Sequence, residues 1–131
     1  MTAGTLVLDS QGLSLVIDDD SRVMAHLKVA RQRGADVVVS AMTILEAVHP
    51  DVKRERFEWV LSTLAKIPPS MEIIKSALGL LNGTGLRGHE HAIDAVVAAT
   101  ALRQQPPVVM LTSDPDDMRR LCGDFVEIVP V

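Results

Sequence analysis

Short apolar runs of strand-forming residues alternate along this chain with stretches of helical periodicity, and that alternation limits the fold more than any other feature. The runs are Thr5-Leu-Val-Leu8, Val37-Val-Val39, Val108-Val-Met-Leu111 and Val126–Val129. Between them, seven segments read as helices. They are Ser10–Ile17, a segment from Asp20 or Ser21 to a C-capping Gly34, Ala41–Val48 closed by Pro50, Lys53–Lys66, Met71–Leu81, His89–Arg103 and Pro115–Cys122. Pro68-Pro69 is a break, and Asn82-Gly-Thr-Gly-Leu-Arg-Gly88 reads as the most loop-like stretch. Apolar strands separated by helices belong in a parallel sheet covered on both faces. The expected fold class is therefore α/β, a sandwich with a mostly parallel central sheet and helices on both faces. A chain of 131 residues is expected to form it as one domain spanning 1–131.

Composition removes several functions. The chain has 13 basic and 17 acidic residues, a net charge of −4, which is too acidic to hold nucleic acid by charge alone. Aromatic residues make up 2%, namely Phe57, Trp59 and Phe125, so stacking platforms for unpaired bases are nearly excluded. Cys122 is the only cysteine; it rules out an internal disulfide or a multi-cysteine zinc site and reads as a core residue. Gly12–Ile17 is apolar but short, and Asp18-Asp19-Asp20 follows it at once, so no membrane or secretory segment is expected and the expected location is cytoplasmic.

The acids are more informative. Two runs finish on an aspartate, Leu8-Asp9 and Leu111-Thr-Ser-Asp114, and Glu46 lies in the helix after the run ending near Ser40. Ligand sites of open parallel sheets lie outside the carboxyl ends of the strands. Asp94 sits in a helix that is apolar almost all round, on a face shared with Ala98 and Ala101. A buried carboxylate there costs several kcal/mol unless a cation or hydrogen-bond donors compensate. Each acid also has a plain structural reading. Asp9 can cap the next helix, Glu46 can form a capping box with Thr43, Asp114 can precede a helix opening on Pro115, and Asp94 can belong to a core ion pair. None of these explains why all four should gather at one end of one sheet. At ~5 Å and an effective dielectric of ~20, each ionised pair costs about 3 kcal/mol. Hard divalent cations offset such repulsion and leave positions open for phosphate oxygens, so the pattern points to phosphodiester hydrolysis.

Four segments resemble the motifs of the PIN-domain family, in order and across essentially the whole chain. They are Val7-Leu-Asp-Ser10, Ser40–Val48 with Glu46, Ile93-Asp-Ala-Val-Val-Ala-Ala-Thr-Ala-Leu102, and Leu111-Thr-Ser-Asp-Pro-Asp-Asp117. By length, the class resembled is the VapC-like toxins of toxin–antitoxin pairs. The resemblance implies a Mg²⁺-dependent endoribonuclease, with Mn²⁺ as substitute, that hydrolyses RNA to leave a 5′-phosphate and a 3′-hydroxyl. It assigns catalysis and metal binding to Asp9, Glu46, Asp94 and Asp114, adds Asp117 as a further metal-binding acid, and makes the Thr112 hydroxyl a support for the site. It further implies a homodimer and a cognate antitoxin that places a basic side chain in the acidic cleft. The alternative reading is a catalytically inactive PIN-like interaction module. Gln11 and Gly12 replace the small residues common after the first motif, which is expected to loosen the start of that helix.

Other motifs carry less. His89 and His91 are two apart on a helix and point in different directions, so a shared ion is not expected, though His91 lies on the Asp94 side. No Gly-Lys-Ser/Thr follows the glycines near residue 85, which excludes a P-loop. Gln11 stands where a haloacid-dehalogenase-type phosphatase needs a second aspartate.

Overall fold

A computed structural model describes residues 3–131; Met1 and Thr2 lie outside the described residues. The elements run β1 (Thr5–Leu8), α1 (Ser10–Ile17), α2 (Ser21–Gln32), β2 (Asp36–Ser40), α3 (Ala41–Ala47) and α4 (Arg54–Ser62). They continue with β3 (Ala65–Ile67), α5 (Met71–Thr84), α6 (Gly88–Leu102), β4 (Val108–Thr112), α7 (Pro115–Cys122) and, after a 3-10 turn at Gly123–Phe125, β5 (Val126–Pro130). The five strands form one sheet in the order β3-β2-β1-β4-β5, every pairing parallel.

The side-chain alternation of each strand builds the two outer layers. Leu6 and Leu8 of β1, Val37 and Val39 of β2 and Leu111 of β4 face α1, α2, α3 and α4. Val7, Val38, Val108 and Met110 face the other way, onto the alanine- and valine-rich stretch of α6, with Ile73 and Ala77 of α5 and Met118 and Leu121 of α7. Because both faces are covered, the central strands are apolar at successive positions. Cys122 belongs to the second of these layers, and burial pushes its thiol up to about 12. The native protein is therefore expected to resist alkylation at pH 8 and to react only once denatured; rapid native labelling would contradict this packing.

Two segments differ from the sequence expectation. The helix expected over Lys53–Lys66 ends at Ser62, and Ala65–Ile67 forms an edge strand on β2 instead. Val60 and Leu64 are buried as expected, and Phe57 and Leu61 pack partly against the same layer. The loop expected over Asn82–Gly88 is short, because α5 continues to Thr84 and ends on Gly85 in the left-handed conformation at φ 71°. The Asp18-Asp19-Asp20 run is a helix boundary: Asp18 ends α1, Asp19 sits at φ 58°, and Asp20 caps α2 by accepting the Val23 N–H. Among the described residues no helix is long and apolar enough to cross a membrane.

Gly12, expected to loosen α1, does the reverse. It is buried, and a Cβ there would lie 3.1 Å from the Leu111 carbonyl oxygen and 3.5 Å from the Leu8 and Leu111 Cβ atoms. A larger residue there would require the Leu111 backbone to give by a few tenths of an ångström, so glycine suits this close seating of α1 over β1 and β4.

Candidate metal centre

In a parallel sheet every strand delivers its following residue to the same edge, and the register here sets those residues level. Leu8 pairs with Leu111 on one side and Val39 on the other, so Asp9, Thr112 and Ser40 stand side by side at the carboxyl end. The chain leaves β1 toward β2 in one direction, while β4 lies on β1's other side. The crevice between β1 and β4 is thus the point at which strand order reverses, where open α/β sheets place their ligands.

Asp9 is buried and doubly held. Its Oδ1 accepts the Gly12 N–H at 2.8 Å, capping α1, and its Oδ2 accepts the Ser113 N–H at 3.1 Å from across the crevice. The capping reading and the site reading are both true of this residue, because the cap fixes the carboxylate at the crevice. Thr112 is fully buried, and its Oγ1 accepts the Asp114 N–H at 2.9 Å. Asp114 starts α7 without using its carboxylate as a cap, which leaves that group to the crevice. Pro115 then opens the helix, and Asp117 lies in its first turn.

Glu46 reaches the site from the last turn of α3. The capping box with Thr43 does not form: Ser40 caps the helix by accepting the Met42 N–H at 3.2 Å, and Thr43 lies inside it with its hydroxyl buried and unpartnered. Asp94 comes from α6, whose backbone leaves helical geometry at His91 (φ −124°, ψ 15°), so Asp94 stands in the first turn of the continuous part. Expected to be buried, its side chain is 25% exposed, because the turn emerges at the sheet edge. Beyond it Ala95, Ala98, Ala99 and Ala101 are buried against the sheet, and the residues expected on Asp94's own face, Ala98 and Ala101, are among them. Glu46, Asp94 and Asp114 share an open cleft of about 350 Å³ with His89, Glu90, Ala92 and Ile93.

The electrostatics bind the four acids together. Burial, and then the charges of Asp94 and Asp9, raise the Glu46 carboxyl above its ordinary 4.5; the Ser10 hydroxyl opposes this and Asp114 adds to it. Burial and then Asp114 raise Asp94 above its ordinary 3.8, against the pull of His91 and with Asp117 adding to the rise. Helix N-termini at Asp9, Asp94 and Asp114 relieve part of this repulsion. Asp117 stands on the flank, its Oδ2 3.7 Å from His91 Nδ1, while Asp94 Oδ2 lies 3.6 Å from the same nitrogen. One donor atom each from His91, Asp94 and Asp117 lie within 4.8 Å of one another, a grouping able to hold a metal ion.

No family model matches the chain, and no curated protein matches it in sequence. Solved structures do match in shape. VapBC2 from Rickettsia felis, bound to a DNA fragment from its promoter, superposes with a TM-score of 0.71 at 13% identity, covering 97% of this chain and 98% of that one. FitAB bound to an IR36 DNA fragment gives 0.66 at 21% identity over 95% and 94% of the two chains. FitAcB from Neisseria gonorrhoeae gives 0.58 at 18% identity over 94% and 95%. The fold is that of the PIN domain.

Within this PIN-domain fold all five sequence-selected acids come to one edge. Glu46 feels the charges of Asp94, Asp9 and Asp114, Asp94 feels that of Asp114, and Asp117 lies beside Asp94. Two participants carried little sequence signal. Ser113 acts through its backbone N–H, and His91 meets Asp94 and Asp117 rather than His89. The i, i+3 spacing of His91 and Asp94 was the signal available for the second.

Four arginines are engaged within the fold. The Arg56 guanidinium donates to the Val16 and Ile17 carbonyls at 2.9 and 3.2 Å, faces Asp19 at 3.5 Å and lies 5.0 Å over Trp59. Arg54 pairs with Glu58, Arg119 with Asp116, and Arg120 donates to the Thr84 carbonyl.

Proposed function

We propose that this PIN-like unit, taken over residues 1–131, is a Mg²⁺- or Mn²⁺-dependent endoribonuclease and the toxin of a toxin–antitoxin pair. The observation that carries the reading is the gathering of carboxylates at the β1–β4 crevice, where burial and the neighbouring acids hold Glu46 and Asp94 above their ordinary range. The donor set is oxygen-rich, Glu46 and Asp94 are pushed toward protonation, and the His91 Nδ1 facing Asp94 and Asp117 is buried without a hydrogen-bond partner. Those residues fit a hard divalent cation. In this reading Asp9, Asp94 and Asp114 hold the ion, with Asp117 at its flank. Bound there, the cation supplies positive charge to the scissile phosphate and lets water act as nucleophile at neutral pH. Glu46, whose raised pKa suits a proton acceptor, orients that water and takes its proton. Gly12 and the Asp9–Ser113 hydrogen bond hold the crevice walls at fixed separation. With few aromatics, the RNA is gripped through phosphate and 2′-hydroxyl contacts.

A protein partner is part of the proposal. The structures of like fold are named as two-component assemblies, VapBC2 and FitAB, and exposed apolar side chains gather on α5 and at α3 here. Met71, Ile74 and Leu78 line one face of α5, and Leu45 and Val48 stand exposed at α3. Faces of this kind suit an antitoxin and a second copy of the chain.

Two measurements test the reading. Purified protein is expected to cleave RNA with Mg²⁺ or Mn²⁺, leaving 5′-phosphates, and to stop in excess chelator; undiminished cleavage in chelator overturns it. Mn²⁺ at about a hundred times its Kd is expected to stabilise the chelator-stripped protein by about 2.7 kcal/mol, seen as a raised melting temperature. Identical melts with chelator and with excess Mn²⁺, beside intact binding of a partner, favour the interaction-module alternative.

A further inference from the structure

His91 stands beside the four acids with no role yet assigned to its ring nitrogens. Its side chain is 18% exposed, and its Nδ1 is buried with no hydrogen-bond partner. That atom faces Asp94 Oδ2 at 3.6 Å and Asp117 Oδ2 at 3.7 Å, both too long for a hydrogen bond. Three lone-pair atoms thus converge on one point with nothing drawn between them. Neighbouring ligands on an ion with bonds of ~2.1 Å stand about 3 Å apart, so a small closure of these side chains fits them around a cation. The other ring nitrogen, Nε2, faces Glu90 Oε2 at 3.9 Å. A metal-ligating histidine commonly turns its second nitrogen toward a carboxylate, which fixes the ring and its tautomer.

We propose that His91 is a nitrogen ligand, completing with Asp94 and Asp117 a mixed N/O position that takes Mn²⁺ in preference to Mg²⁺. The proposal rests on the metal reading above and gives it a selectivity that the oxygen-only set lacks. Imidazole suits first-row transition ions, whereas Mg²⁺ is held by oxygen and gains little from it. His89, which lines the same cleft, supplies the internal control.

The test is pulsed electron paramagnetic resonance on chelator-stripped protein loaded with Mn²⁺, read for ¹⁴N coupling from a bound imidazole, beside calorimetric titration with Mn²⁺ and Mg²⁺. The parent is expected to show the coupling, His89→Ala to keep it, and His91→Ala and His91→Asn to lose it. The His91 variants are expected to bind Mn²⁺ roughly tenfold more weakly or worse and Mg²⁺ within about twofold of the parent. The parent spectrum needs no variant to fold. Bound Mn²⁺ without ¹⁴N coupling, or coupling that survives in His91→Ala, overturns the ligand assignment and leaves the acidic centre standing. No Mn²⁺ bound to the parent at all removes both.

Discussion

Replacing Asp94 by Asn is expected to reduce Mg²⁺-dependent RNA cleavage roughly a thousandfold or more, the equivalent of ~4 kcal/mol of lost transition-state stabilisation. The far-ultraviolet circular dichroism should not change. The substitution keeps the size and shape of the side chain in the first turn of the continuous part of α6 and removes one negative charge from the centre of the acid cluster. The same variant is expected to melt higher than the parent when metal is stripped away. The sign follows from linkage: burial, and then Asp114, raise the Asp94 pKa above 3.8, so the native state holds that proton more tightly than the unfolded state. Stability is then lost as pH rises from the unfolded value through the folded one, and the cost persists at neutral pH. Asn escapes it. The gain should fade as pH falls below 3.8. Excess Mn²⁺ should reverse the order of the two melting points, because only the parent keeps a full ligand set. Cleavage by Asp94→Asn within about tenfold of the parent would remove Asp94 from the centre.

The second large effect is expected at the opposite end of the strands. Gly4 sits at φ 86°, and a Cβ there would lie 2.3 Å from the Pro107 carbonyl oxygen. The backbone has no room to yield, since the Thr5 N–H donates to that same oxygen at 3.0 Å and the Gly4 carbonyl accepts the Asp36 N–H at 3.1 Å. Gly4→Ala is therefore expected to destabilise by about 3 kcal/mol and to lower Tm by roughly 10 °C. Gly85→Ala separates the two causes. Gly85 has a comparable φ of 71° with nothing within 4 Å of its added Cβ, so about 1 kcal/mol of backbone strain is all it should show. Equal melting points for the two variants would rule out the contact with Pro107.

The layers and the acids were legible in the sequence because both rest on local chemistry. Val37–Val39 and Val108–Leu111 announce two-faced burial, and an aspartate directly after a strand is carried to the sheet edge whatever the helices do. What escaped depends on surroundings. Ala65–Ile67 is an edge strand, with Ala65 and Lys66 exposed, so it carries no apolar signature, and the helical spacing of Val60 and Leu64 leads directly into it. Asn82, Gly83 and Thr84 have turn-forming side chains, yet they extend α5, where the Thr84 hydroxyl donates to the Leu80 carbonyl at 2.8 Å. The Thr43–Glu46 spacing matched a capping box, but the helix is already capped by Ser40, the last residue of β2, and starts at Ala41. His91 was weighed against His89, its neighbour in sequence, while its partners in space are Asp94 and an acid 26 residues away.

Because β1 lies between β2 and β4, a strand at Thr5–Leu8 is completed by one about a hundred residues later, at Val108–Thr112. The Ser113 N–H that fixes the Asp9 carboxylate is 104 residues downstream. A nascent chain that has emerged only as far as α6 already contains Asp9, Glu46 and Asp94, but one edge of β1 is bare and the crevice has a single wall. Closure over so long a sequence separation is entropically slow and comes late. The crevice gains its second wall only when Val108–Asp114 docks beside β1.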